Sequence, residues 1–143
     1  MSPPGPARVP GRELRWAVLI INLEPVQGHE QGGERRALVV SYEPFHLGGM
    51  LTVCPITPVR AEPRYPQEVA IGRGEAGQTA DGVILCHQVR TLSVLRAGNS
   101  IGTVVGYLTD PVLRAVVRRA LATQLGLDIG GLADGASDGA EFS

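Results

Sequence analysis

Apolar residues fall in short bursts along most of this chain, and only near its end does their spacing change. The bursts are "WAVLIINL" (16–23), "ALVVS" (37–41), "LTVCPIT" (51–57), "EVAI" (68–71) and "VILCHQVRTL" (83–92). Each is rich in β-branched residues and bounded by Gly, Pro or Asp, which predicts strands. A further short strand is expected at 102–107. The connections are too short for crossover helices, so the sheet should be mainly antiparallel. Short strands between Gly/Pro turns then predict a mainly β fold, a small barrel.

After Asp110 the period lengthens to that of a helix. Asp110 is a natural cap, Pro111 suits the first helical position, and Gly126 suits a left-handed stop. Leu113, Val116, Val117, Ala120, Leu121 and Leu125 form one apolar stripe, which predicts a helix docked on the sheet. Arg114, Arg118 and Arg119 lie off that stripe and read as a solvated polar face; no function is assigned to them. "GRGEAG" (72–77) matches a dinucleotide-binding fingerprint letter by letter, but "QTADG" cannot open a helix after it, so it reads as a loop.

Length and composition narrow the class. At 143 residues the chain is long enough for one domain with a real core. That domain is expected at 12–128, after a Pro/Gly-rich leader at 1–11 and before an acidic, Gly-rich tail at 129–143. No apolar run approaches the roughly 20 residues of a membrane span, so no membrane partner is expected. Cys54 and Cys86 sit in apolar runs away from metal-ligand spacing, so neither a disulfide framework nor a zinc site is expected, and a reducing cytoplasm is the expected setting.

Net charge is −1, which argues against bulk electrostatic capture of nucleic acid. Removing Arg8 at one end and Asp134, Asp138 and Glu141 at the other leaves 12 arginines against 11 acids. All 13 basic residues are Arg, so every cation offers a planar fork suited to phosphate or carboxylate.

The stretch "NLEPVQGHEQGGERRALVVS" (22–41) adds an order of residues to this composition. It resembles the first hairpin of the MazF/PemK family of toxin endoribonucleases, whose usual form is N-L-[DE]-P-x-x-G-x-E-Q-x-x-x-R-P-[AV]-L-V-[VI]-S. The resemblance continues through "LTVCPIT", "GVILCHQVRTL" and a final helix ending "LATQLGL", and covers about residues 12–128. It implies an SH3-like antiparallel barrel with a C-terminal α-helix, forming a homodimer whose groove takes single-stranded RNA. It further implies cleavage of mRNA at short sequences without metal or cofactor, and a cognate antitoxin that blocks the groove.

Carried over residue by residue, the family's essential arginine is Arg35 and its hydroxyl residue is Thr57. Metal-independent cleavage uses the 2′-hydroxyl as nucleophile, so the phosphorane must be stabilised and protons moved. Arg35 suits the first task, because its high pKa makes it an inefficient general acid. Thr57 can orient the 2′-hydroxyl or donate to a phosphate oxygen. Where some members carry R-C-D-Q, this chain has Leu85, Cys86, His87 and Gln88; His87 is either a replacement base or a structural histidine at a strand end. His29 in "GHEQ" is a second candidate for substrate contact or proton transfer. Glu30, Gln31, Gln88 and Arg90 match the family and are candidates for RNA contact, with turn stabilisation or a Glu30–Arg90 pair as the structural reading.

Further departures touch the frame. Arg36 replaces the usual Pro and is either a second cation beside the phosphate or a rival for the essential position. His46 stands where Asn is common. About three extra residues precede Pro25, so a bulged or longer first strand is expected. Few aromatics are present, and Tyr42, Phe45 and Tyr65 are the candidate stacking platforms. Two other functions fit the same fold: a non-enzymatic toxin that inhibits a protein target such as DNA gyrase, and a catalytically silent antitoxin-binding relative.

Overall fold

The computed structural model describes residues 13–22, 34–58, 63–93 and 103–127. The leader, the tail and the first hairpin loop with His29, Glu30 and Gln31 lie outside the described residues. In chain order the strands are β1 (Ala17–Asn22), β2 (Glu34–Val39), β3 (Met50–Pro58), β4 (Glu68–Ile71), β5 (Gly82–Leu85), β6 (Arg90–Ser93) and β7 (Thr103–Tyr107). A single α-helix among the described residues, α1, runs Pro111–Leu125. The recorded ladders are all antiparallel, in the order β4-β5-β3-β2-β1-β7, with β6 also on β3.

β3 changes partner halfway. Met50–Val53 pair with β6 and Ile56–Pro58 with β5, while β2 runs along the other side. Pro55, which has no N–H to give, falls in the interval between the two partners, where a ladder bond is not demanded. The run expected as one strand at 83–92 is therefore two strands. A 3-10 turn at Cys86–Gln88 breaks it, with the Cys86 N–H donating to Gln67 O at 3.0 Å. The register of β1 against β7 shifts between Val18 and Leu19, but the extra residue there is Val105 of β7, so this bulge is not in the first strand.

Alternation along the central strands fills two clusters. Leu19, Ile21, Ala37, Val39, Leu51 and Val53 meet on one face. Val18, Leu38, Cys54, Ile56 and Ile84 meet on the other, beneath Val117 and Ala120 of α1. The expected closed ladder is not formed among the described residues, because β4 and β7 are not paired. Packing spans that gap instead. The turn at Glu75–Gly77 lies so close to β7 that a Cβ on Gly77 (φ +79°) would fall 2.1 Å from Val105 O, and one on Gly106 would fall 2.4 Å from the Ala76 carbonyl carbon. Only glycine fits either place.

The helix ends as expected: Asp110 accepts from Val112 N, Pro111 opens the first turn, and Gly126 closes it at φ 71°. Its buried face is narrower than the apolar stripe. Val116 and Leu125 are exposed, whereas Leu113 and Leu121 pack at the edge of the core. Nor are Arg114 and Arg118 simply solvated. Their guanidinium carbons lie 5.2 and 5.3 Å from the centre of the Trp16 ring, and that of Arg15 lies at 5.5 Å. Arg114 Nε also donates to Leu108 O at 2.7 Å. The arginines thus cover a buried Trp16 whose backbone is left-handed (φ 71°) and is held by bonds to Val39 O and from Leu108 N.

Cys54 and Cys86 are both free and buried. The Ile56–Ile84 register, continued, sets them opposite each other. A hydrogen bond between the two side chains, reinforced by burial, pushes the Cys54 thiol far above its ordinary pKa.

Candidate active site

At one end of the β2–β3 ladder the register pairs Arg36 with Ile56, and the next step sets Arg35 opposite Thr57. Residues directly opposite share a sheet face, so the arginine and the hydroxyl are neighbours by construction. Both line a cleft of 380 Å³, together with Arg36, Pro58, Gln78 and Thr79. No carboxylate lines it among the described residues, so its charge is that of two guanidiniums. Arg35 is half-buried, and its Nε is covered without a hydrogen-bond partner. Its guanidinium lines the cleft, where a planar fork suits an anionic guest.

Arg36 is differently occupied. Its Nη1 donates to Gly77 O at 3.1 Å and to Gln78 Oε1 at 3.4 Å, tying β2 to the β4–β5 loop. That loop is "GRGEAGQTAD", a loop as expected, shaped by bonds from Gly74 N to Gln78 O and from Gln78 N to Glu75 O. The buried Gln78 escaped sequence reasoning. No local signal marks it, because only tertiary packing brings residue 78 beside Thr57.

The other candidates stand elsewhere. His87 lies half-buried on the 3-10 turn beyond Leu85, with its ring 6.2 Å from that of Tyr65 in an edge-on arrangement. It does not line the Arg35–Thr57 cleft, nor do the exposed Gln88 and Arg90, the latter opposite Val53 on β6. Tyr42 and Tyr65 are exposed but also outside the cleft. His46 is buried at the opposite end of the ladder and is bonded to Ser41.

A cation pair, a hydroxyl and a neutral amide around an open cleft can bind and polarise a phosphodiester. Fold and cleft together define a class, a small antiparallel sheet with one C-terminal helix and an arginine–hydroxyl groove. Residues 14–124 match the family described as PemK-like, MazF-like toxin of type II toxin-antitoxin system, and the chain belongs to that family.

The chain is 33% identical over 101 residues to the endoribonuclease toxin ChpB of Escherichia coli K12, covering 69% of this chain and 86% of the relative. It is 31% identical over 114 residues to the endoribonuclease MazF of Staphylococcus saprophyticus, covering 79% and 91%. The solved MazF of Deinococcus radiodurans (Form-I) superimposes with a TM-score of 0.61 at 30% identity, over 81% of this chain and 97% of that one.

Proposed function

We propose that this protein is an endoribonuclease that cuts single-stranded mRNA at short specific sequences. The observation that carries the reading is the placement of Arg35 opposite Thr57 on one face of a cleft lined, among the described residues, by no acid. The two relatives above carry endoribonuclease names, which supports it. In this mechanism the 2′-oxygen attacks phosphorus and loses its proton, the phosphorane collapses, and the 5′-oxygen leaves with a proton, giving a 2′,3′-cyclic phosphate and a 5′-hydroxyl. Arg35 clamps the non-bridging oxygens and stabilises their charge. Thr57 orients the 2′-hydroxyl or donates to the same phosphate. His87 is given no proton to move in this cleft, because within one chain it does not line it.

The reading extends to a cytoplasmic homodimer that needs no metal and is blocked by a cognate antitoxin. MazE–MazF of Deinococcus radiodurans, 29% identical to this chain with a TM-score of 0.60, supports the antitoxin. The test is incubation of the purified protein with a long single-stranded RNA in EDTA, beside Arg35→Ala, with mapping of fragment ends. Discrete cuts that vanish in the variant bear the proposal out. A folded dimer that cuts none of several RNAs overturns it and leaves gyrase inhibition or antitoxin binding as the function.

A further inference from the structure

Gln78 has the geometry of a reader. The residue is 7% exposed and lines the cleft, and its backbone is bonded at both N–H and C=O within its own loop. The loop is seated on β7 by the Gly77–Gly106 contact, so the side chain projects from a fixed base. Arg36 then decides which way the amide faces. A guanidinium has only donors, so the amide must turn its oxygen toward Arg36 Nη1 and its NH2 away. That NH2 lies over Gly82 beside Thr57: a Cβ built on Gly82 would stand 2.8 Å from Thr57 O and 3.5 Å from Gln78 Nε2. Among the described residues no acceptor meets this Nε2.

We propose that Gln78 is a specificity-determining residue of the cleft, donating from Nε2 to an acceptor on the edge of the base next to the bond that is cut. Arg36 is the positioning residue that fixes the polarity of that donor. The assignment rests on the endoribonuclease reading. A base is favoured over a phosphate because Arg35 and Arg36 already supply the charge a phosphate needs, whereas a neutral, oriented carboxamide distinguishes acceptors from donors. The site is a hydrogen-bonding one, since no aromatic side chain lines the cleft among the described residues.

The test uses the full chain and a pool of single-stranded RNAs randomised around the cut, with sequencing of fragment ends for wild type, Gln78→Ala, Gln78→Glu and Arg36→Met. Gln78→Ala is expected to relax selection at one nucleotide position only, and to lower kcat/KM on the preferred sequence about ten- to a hundredfold. Near-isosteric Gln78→Glu offers an acceptor in place of the donor, and selection at that position should move toward a base presenting an amino group. Arg36→Met should relax the same position and reduce the further effect of Gln78→Ala. An unmoved preference in a folded Gln78→Glu, or a fall uniform across all sequences as for a phosphate contact, overturns the assignment while the nuclease stands. A wild-type protein that cuts nothing removes the nuclease reading, and this assignment with it.

Discussion

The two ends of the β2–β3 ladder are built from similar residue types and put them to opposite use. At the far end Ser41 Oγ accepts from Thr52 N at 3.0 Å and stands 2.6 Å from His46 Nε2, while His46 Nδ1 lies 3.2 Å from Glu43. Glu43 also accepts from the backbone N–H groups of Leu14 and Arg15. Serine, histidine and carboxylate stand in line as they do in a nucleophile triad. Yet His46 is 2% exposed and the hydroxyl is committed to a backbone donor, so the trio is a brace that ties the entry to β1 onto the β2–β3 connection. At the near end Arg35, Thr57 and Gln78 line a cleft open to solvent. The difference is one of access: the far trio is sealed inside the fold, whereas the near residues are within reach of a guest.

Substitutions at the two ends should therefore separate activity from stability. Arg35→Ala should lower RNA cleavage about 10²–10³-fold, as loss of a charge-stabilising donor does, without lowering the melting temperature. Gel assays and calorimetry on the same sample check both halves, and a variant that melts much earlier would break the comparison. His46→Ala should do the reverse. Emptying a buried site and orphaning Ser41 should cost about 3 kcal/mol by urea titration, with the cutting rate per folded molecule unchanged.

The core beside both ends carries a pH signature. Cys54 holds its proton more tightly folded than unfolded, so its contribution is fully present below the ordinary thiol pKa of about 8.5. As pH rises past that value the unfolded state loses a proton the folded state keeps, and stability should fall by up to about 1.4 kcal/mol per pH unit. Urea titrations between pH 8 and pH 10 check the slope, which Cys54→Ala should flatten. The smallest effect belongs to the cap, where Asp110→Ala should cost about 1 kcal/mol by the same titration and leave cleavage untouched.

What could be read from the letters was whatever local chemistry decides. Asp110, Pro111 and Gly126 bounded the helix because caps are local, and the β-branched bursts located the strands. The apolar burst at 37–41 left Arg35 and Arg36 outside the expected strand, but β2 begins at Glu34, because charged residues at a strand end leave no apolar alternation to detect. The break at Cys86 depends on a bond from Gln67, and the coverage of Trp16 on a helix far along the chain; neither is local. Of the site, order along the chain supplied Arg35 and Thr57. Gln78 was out of reach, and the separation of His87 from the cleft became visible only when β5 and β6 were seen to part.

That parting makes β3 a beam shared by two neighbours on one side and held by β2 on the other. A load entering through β6 is delivered to Met50–Val53, ahead of Pro55, whereas Thr57 is fastened to β5 on one side and faces Arg35 on the other. Whatever grips the β6 edge bears first on Met50–Val53, and it reaches the Arg35–Thr57 cleft through β2, whose ladder runs unbroken from Val53 to Ile56.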